Sequence, residues 1–246
     1  ASCLVGSEMC IRDRRNHIPV ICHESDLTPG LANKLTMPSA AKVCCNFPET
    51  LQYLPPKKAV LTGCPIRQEL KEGSRAAALA MTGFTEEKPI MLVMGGSLGA
   101  VAVNQAVRDA LPELLQTFQI IHLCGKGKLD ESLKGTPGYV QYEYIQKELA
   151  DLFAACDLVV SRAGANAICE LLALRKPALL IPLSAKASRG DQILNARSFE
   201  RQGFSMVLEE ESLTKESFLA AVQNLYTHRQ DYIHAMEELS LIHISE

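Results

Sequence analysis

The chain has 246 residues, a net charge of −3 and 47% hydrophobic residues, which is an ordinary balance for a globular protein. Its 15 glycines and 12 prolines exclude a collagenous or low-complexity chain, and a slightly acidic protein has no general field that attracts nucleic acid. No apolar run reaches the roughly 20 residues that span a bilayer, so any membrane role is expected to be peripheral.

Both ends of the chain are predicted to be translated from sequencing-library DNA rather than from the gene. One set of codons for residues 7–14 has a reverse complement that translates as residues 239–245, and both stretches resemble a transposase sequencing adaptor. We therefore expect residues 1–14 and 239–246 to be adaptor translation, and the natural segment to be about 15–238. Native codons that continue through either end of the gene would contradict this expectation.

The nine cysteines include no CxxC pair, so neither a zinc knuckle nor a disulfide framework is indicated. Most stand in apolar surroundings and are predicted to be small core residues of a reducing compartment, the cytoplasm. These are Cys22, Cys44, Cys45, Cys124, Cys156 and Cys169.

In the first part of the chain, residues 18–24, 41–47 and 58–63 are predicted strands, with a short helix near 30–35. So few elements cannot cover both faces of a parallel sheet within about 50 residues. Residues 15–62 are therefore interpreted as the remnant of an amino-terminal domain. A linker and a helix are expected over 63–88.

From residue 89 to 238, short apolar runs alternate with amphipathic stretches, which predicts a complete α/β domain. The predicted strands are 90–94, 119–123, 139–142, 157–160, 178–182 and 204–207, and the predicted helices are 101–116, 147–154, 166–174, 192–202 and 215–226. Runs such as IMLVM and ALLIP are apolar on both faces, so the sheet is expected to be parallel and doubly wound.

Ligands of such sheets bind beyond the carboxyl ends of the strands. The loop GGSLGA, residues 95–100, lies between a predicted strand and a helix, where free backbone N–H groups favour an anion. It matches neither a Walker loop nor GxGxxG, and a tight turn without a ligand remains an alternative. Residues 125–128, GKGK, can add positive charge near a phosphate or be a solvated turn.

A second loop of small residues, 161–167, also separates a strand from a helix, and Glu170 follows about one turn inside that helix. A carboxylate in this position can accept the hydroxyl groups of a ribose while the loop amides face a diphosphate. Alternatively, Glu170 is only a favourable charge near a helix amino terminus. The two loops together indicate a nucleotide.

A rival interpretation comes from Gly95 to Gly99, which also match the GxSxG nucleophile elbow with Ser97 as the nucleophile of a hydrolase. Asp191 and His228 follow in an order that a triad allows. The sequence has no glycine-rich oxyanion loop upstream, which disfavours this alternative.

Six motifs in one order closely resemble the MurG family of peptidoglycan glycosyltransferases, over about residues 18–236. They are HESDLTPGLANK, FPET, GCPIR, GGSLGA, SRAGANAICE and DQILNA. The resemblance implies the GT-B type of α/β fold, here one complete doubly wound Rossmann-like domain plus the remnant of a second. It also implies inverting transfer of N-acetylglucosamine from UDP-N-acetylglucosamine (UDP-GlcNAc) to the muramyl sugar of lipid I, which gives lipid II.

The resemblance assigns contacts with the donor residue by residue. Arg67 and Ser97 are expected near the diphosphate, Ile145 is expected at uracil through its backbone, and Glu170 is expected on the ribose. The full predicted set is Asp26, Arg67, Ser97, Ile145, Ala165, Asn166, Ala167, Ile168, Cys169, Glu170, Asp191 and Gln192. Asp26 stands where the family often has Asn, so its contact is the least certain. No cofactor and no metal are expected, and the sequence has no evident acidic DxD pair.

The family's main candidate for the catalytic base is a histidine in an amino-terminal GGTGGH-type loop, which this sequence lacks; His23 and Glu24 can at most support the site. We therefore expect the chain itself to bind UDP-GlcNAc weakly and to turn over negligibly. The implied partners are the donor and an undecaprenyl-linked muramyl-pentapeptide acceptor, at the cytoplasmic face of the membrane, with no nucleic acid. A donor-binding subunit of a two-chain transferase and a sugar-nucleotide epimerase remain alternatives.

Overall fold

A computed structural model describes residues 9–10, 12–96, 99–186 and 189–244. The chain divides into two compact units. The smaller unit comprises Ala1–Pro65 with Gly164–Asn166, and the larger unit comprises Ile66–Ala163 with Ala167–Glu246.

The strands are β1 (Ile21–Glu24), β2 (Lys42–Cys45), β3 (Ala59–Leu61), β4 (Ile90–Met94), β5 (Gln119–Leu123), β6 (Tyr139–Tyr142), β7 (Leu158–Ser161), β8 (Ala178–Leu180) and β9 (Met206–Val207). The labelled helices are α1 (Leu31–Thr36), α2 (Arg75–Thr82), α3 (Val101–Asp109), α4 (Leu111–Thr117), α5 (Leu149–Ala155), α6 (Ala165–Ala173), α7 (Asp191–Arg201), α8 (Lys215–Thr227) and α9 (Arg229–Ile244). Short 3-10 turns cover Pro48–Tyr53, Gln68–Lys71, Glu131–Leu133 and Glu210–Ser212.

The smaller unit contains a parallel sheet in the order β1-β2-β3. In β2, Val43 and Cys45 are fully buried whereas Cys44 between them is partly exposed, which is the two-residue alternation of a strand. The three predicted strands are confirmed with narrower bounds.

The larger unit contains a six-stranded sheet in the order β6-β5-β4-β7-β8-β9, and all its pairings are parallel. In β4, Met91 and Val93 belong to a core cluster that also contains residues of α3, α4 and α8. Ile90 and Leu92, on the opposite face of the strand, are equally buried. Burial of both faces confirms the predicted doubly wound sheet.

The predicted helix over residues 101–116 is wrong in one respect, because the structure divides it into α3 and α4 at Ala110. Pro112 lies in the first turn of α4. A proline has no N–H to donate to the carbonyl four residues earlier, and its ring clashes with that carbonyl, so a continuous helix cannot pass through this point. Proline is tolerated where a helix begins.

Within the described part of the chain, no helix is both long enough and apolar enough to cross a bilayer.

Candidate functional site

The order of the larger sheet brings the two predicted loops together. β4 and β7 are neighbours, with Met94 opposite Ser161, although the chain between them also forms β5 and β6. From β4 the chain winds outward through β5 and β6, and from β7 it winds the other way through β8 and β9. The carboxyl ends of β4 and β7 therefore lie at the topological switch point, where open α/β sheets bind ligands.

The loop after β4 depends on glycine at two places. A Cβ atom added to Gly95 would lie 2.5 Å from the Ala100 backbone nitrogen, and one added to Gly99 would lie 2.0 Å from the Cys124 carbonyl oxygen. Gly99 also has a φ of 68°, which favours glycine. Ser97 lies outside the described residues, so its predicted place at the diphosphate stays a prediction, as does its rival role as a nucleophile.

Helix α6 begins directly beyond β7 and carries six of the predicted contacts. Its first backbone N–H groups have no acceptor within the helix, and its dipole favours negative charge at this end. Asn166 is exposed, and Ala167, Cys169 and Glu170 are partly exposed. Both Ala165 and Ile168 are buried.

The contact of Ile168 with a ligand stays a prediction, and the structure limits which part of the residue can make it. Its side chain is fully buried and lines a small pocket beside Leu171 and Phe199. A side chain in that position belongs to the core, so the predicted contact of Ile168 would be made by its backbone.

Arg67 and Glu170, predicted to touch different parts of one ligand, form an ion pair. Nε and Nη2 of Arg67 lie 3.0 and 2.9 Å from the same oxygen, Oε1 of Glu170. The Glu170 side chain is 14% exposed and that of Arg67 is 49% exposed. The guanidinium is thus fixed beside the first turns of α6.

Two further residues hold the loop after β7, and the sequence interpretation missed both. Nη1 of Arg162 donates to the carbonyls of Ile181 and Pro182 at 3.1 and 3.2 Å, and Arg162 also pairs with Glu210. These contacts tie the end of β7 to the end of β8. An arginine directly after a buried apolar strand was the available signal, because a buried charge needs partners.

The second is Asn195, which is fully buried in α7. Its Nδ2 donates to the carbonyl of Ala163, at 3.4 Å. Its motif, DQILNA, was recognised, but only the first two residues were assigned contacts.

Helix α7 begins at Asp191, and the side chains of its first two residues make contacts within the protein. Oε1 of Gln192 accepts the backbone N–H of Leu183 at 3.0 Å, and the Asp191 carboxylate lies 2.7 Å from Nη2 of Arg189. Gln192 thereby holds the chain that leaves β8. The predicted contacts of both residues with the sugar stay predictions.

Two residues of the rival hydrolase triad have other partners in the structure. His228 ends α8 with its Nδ1 3.0 Å from the carbonyl of Asn224, while Asp191 pairs with Arg189.

Ile145 follows β6 and is 9% exposed. Since β6 is an edge strand of the same parallel sheet, the chain that carries Ile145 leaves from the carboxyl edge of that sheet. A backbone contact with a base stays a prediction.

In the smaller unit, Glu24 has a structural role. It is 4% exposed, and its carboxylate accepts the backbone N–H groups of Asp26 at 3.0 Å and Gly30 at 2.9 Å. Nδ2 of Asn33 donates to the same carboxylate at 2.8 Å. Nε2 of His23 lies 3.3 Å from the Gly63 carbonyl oxygen. Glu24 thus organises the loop that contains Asp26.

In the described ranges, no three His, Cys, Asp or Glu side chains are grouped so that they can hold a metal ion.

Comparison with known families agrees with this geometry. The model of the glycosyltransferase family 28 C-terminal domain matches residues 90–243. A curated relative from Lachnospira eligens is 68% identical over 222 residues, which are 90% of this chain and 63% of the relative. One from Lachnoclostridium phytofermentans is 63% identical over 233 residues, which are 95% of this chain and 66% of the relative. Both are named UDP-N-acetylglucosamine--N-acetylmuramyl-(pentapeptide) pyrophosphoryl-undecaprenol N-acetylglucosamine transferase.

The chain therefore spans less than two thirds of the length of these relatives. Among solved structures, Acinetobacter baumannii MurG matches with a TM-score of 0.70 and 24% identity, over 92% of this chain and 63% of that chain. The kitacinnamycin glycosyltransferase matches with a TM-score of 0.64 and 17% identity, over 85% and 52% respectively. The predicted family resemblance and the GT-B type of fold are confirmed.

Proposed function

The chain belongs to glycosyltransferase family 28, and from this premise we propose that its larger unit binds UDP-GlcNAc as the sugar donor. The whole protein transfers N-acetylglucosamine to an undecaprenyl-linked muramyl-pentapeptide, converting lipid I to lipid II in peptidoglycan synthesis. The names of the curated relatives support this substrate pair.

The observation that carries the proposal is the adjacency of β4 and β7. A glycine-rich loop and the amino terminus of α6 follow these two strands, so the loop backbone and the first amides and dipole of a helix meet at one switch point. Both favour the negative charge of a diphosphate. The Arg67 guanidinium, fixed beside α6 by Glu170, adds positive charge, and Glu170 supplies a carboxylate for the ribose hydroxyls.

This arrangement suits the departure of UDP. In an inverting transfer, the acceptor hydroxyl gives its proton to a base and its oxygen attacks the anomeric carbon, while the bond from that carbon to the β-phosphate oxygen breaks and the electron pair leaves with UDP. The leaving diphosphate gains negative charge, which oriented amides and a guanidinium stabilise more strongly than they stabilise the bound donor. Asp191 and Gln192, at the start of α7, are assigned to the sugar.

The acceptor and the membrane are engaged by the whole protein, peripherally and at the cytoplasmic face. We expect neither His23 nor Glu24 to replace the family's base, because Glu24 already holds its own loop and Nε2 of His23 lies 3.3 Å from the Gly63 carbonyl oxygen. We therefore expect the 246-residue chain to bind the donor without forming lipid II at a measurable rate.

Calorimetry on the 246-residue chain tests the proposal. UDP-GlcNAc is expected to bind more tightly than UDP-glucose, and UDP more tightly than uridine, because the diphosphate meets the two amide-rich loops. Equal affinity for UDP and uridine would overturn the assignment of the site. A separate assay with lipid I is expected to give no lipid II, and turnover would refute the expectation of inactivity.

A further inference from the structure

A buried chain of side chains lies beneath the glycine-rich loop. His122, in the middle of β5, is fully buried. Its Nδ1 lies 2.8 Å from the hydroxyl of Tyr139, and its Nε2 lies 3.0 Å from Oδ1 of Asn104. Nδ2 of Asn104 in turn donates to the carbonyl of Cys124 at 2.8 Å. We name these four groups the His122 relay.

The hydrogen bonds of the His122 relay run in one direction. Because Nδ2 of Asn104 is the donor to Cys124, its Oδ1 accepts from Nε2–H of His122, and the hydroxyl of Tyr139 then donates to Nδ1. Burial and, to a smaller extent, the charge of Arg108 lower the pKa of His122 from 6.5 to about 3. The ring is therefore neutral at pH 7, and every bond in the relay has a donor and an acceptor.

The relay ends on a backbone group against which the glycine-rich loop packs. The carbonyl oxygen of Cys124 lies so close to Gly99 that a Cβ there would be 2.0 Å from it. From the other side, Nζ of Lys128 donates to the Gly99 carbonyl at 3.1 Å. Lys128 is held in turn, because Nη2 of Arg108 donates to its carbonyl at 2.6 Å. The segment 124–128, which we name the β5 loop, thus fixes Gly99 by contact and by a hydrogen bond.

We propose that Asn104, His122 and Lys128 are positioning residues for diphosphate binding. They act on the ligand only through the β5 loop and Gly99. The inference rests on the proposed function, because it concerns the same site. Its physical basis is that backbone amides bind an anion well only when their positions are fixed before the ligand arrives.

From the sequence, residues 125–128 are either a solvated turn or a source of positive charge near a phosphate. The structure directs the Lys128 ammonium to a carbonyl of the glycine-rich loop instead. Lys126, two residues earlier, is exposed. The two lysines therefore form a matched pair, because each carries one positive charge in the same loop but Lys128 has the contact with Gly99.

Lys128→Met and Lys126→Met test the inference by calorimetry with UDP and with uridine, alongside melting temperatures. Loss of a charge-assisted hydrogen bond predicts about a tenfold weaker affinity for UDP in Lys128→Met, with the affinity for uridine unchanged within about twofold. Lys126→Met is expected to match the wild type. Equal losses in both variants would show a general charge effect and overturn the positioning role.

The His122 relay is tested by rescue. Glutamine places an amide N–H near the position of Nε2–H, so His122→Gln is expected to keep the wild-type ratio of UDP to uridine affinity, whereas His122→Leu is expected to lower it. Unchanged ratios in both His122→Leu and Lys128→Met would refute the inference.

Lys128 is partly exposed, so Lys128→Met tests the positioning role even if His122→Leu does not fold. A wild type that binds UDP no better than uridine would instead overturn the proposed function.

Discussion

Arg67 and Glu170 are 103 positions apart in the sequence, yet Nη2 of Arg67 lies 2.9 Å from Oε1 of Glu170. The family resemblance assigns one residue to the diphosphate and the other to the ribose. Both contacts from Arg67 go to a single carboxylate oxygen. The pair therefore orients the guanidinium before a nucleotide arrives, and Glu170 has a second oxygen with which to meet a ribose hydroxyl.

Glu170→Gln is expected to weaken UDP binding by about tenfold, because the amide loses the charge that orients Arg67 and accepts the ribose hydroxyls. The melting temperature should change little, since a partly exposed ion pair contributes at most about 1 kcal/mol. Titration with UDP and with 2′-deoxy-UDP measures the effect. The variant is expected to discriminate less between these two nucleotides than the wild type does.

Glu86→Gln is the matched control for this experiment. Glu86 pairs with Arg75 at 2.7 Å. Glu86 precedes the amino end of β4, whereas the site lies beyond the carboxyl ends of the strands. The same chemical change there should leave UDP affinity unaltered. If both variants lose affinity equally, the assignment of Glu170 to the ribose is wrong.

Gly99→Ala is expected to destabilise the larger unit by several kcal/mol, about 3 or more, because the new methyl group would meet a backbone carbonyl that cannot move freely. UDP binding should be lost with it. Gly135→Ala is the control, because Gly135 has a φ of 80° but nothing within 4 Å of an added Cβ. It should cost only about 1 kcal/mol. Urea unfolding compares the two, and equal costs would contradict the close packing of Gly99.

The His122 relay predicts a pH dependence of stability. Burial lowers the pKa of His122 from 6.5 to about 3, so below pH 6.5 the unfolded chain takes up a proton that the folded chain does not. The free energy of unfolding is therefore independent of this group above pH 6.5. As pH falls from 6.5 toward 3, the free energy of unfolding decreases by about 1.4 kcal/mol per pH unit. Between pH 7 and 5, the wild type should therefore lose about 2 kcal/mol more than His122→Gln.

Urea unfolding at both pH values measures this difference, and the other titrating groups cancel between the two proteins. Parallel pH profiles for wild type and His122→Gln would mean that His122 is not held neutral by burial.

Glu24→Ala is expected to destabilise the smaller unit by about 3 kcal/mol, because it leaves three partly buried donors without their charged acceptor. Hydrogen exchange at the amides of Asp26 and Gly30 should accelerate strongly. Glu24→Gln, which keeps an acceptor oxygen, should lie between the alanine variant and the wild type. Unchanged exchange in Glu24→Ala would show that the carboxylate does not organise this loop.

Local patterns were sufficient to predict most of the elements. Apolar runs such as residues 90–94 fit only a strand covered on both faces, and the structure gives β4 these same bounds. The main error is the continuous helix over 101–116, because amphipathic spacing received more weight than Pro112. A proline has no N–H for the helical hydrogen bond, so one helix ends before Pro112 and a second begins there. The motif places Ile168 near the ligand, and the structure adds that helical geometry turns its side chain into the core.

The sequence alone determined the strands, the two loops of small residues and the family, because these depend on neighbouring residues and on the order of motifs. Only the tertiary structure decided which loops meet, since the adjacency of β4 and β7 depends on strand pairing that local spacing does not encode. The same holds for Arg67 with Glu170 and for Lys128 with Gly99. Contacts between residues distant in the chain arise only when the sheet has assembled in one particular order, and that order positions the site.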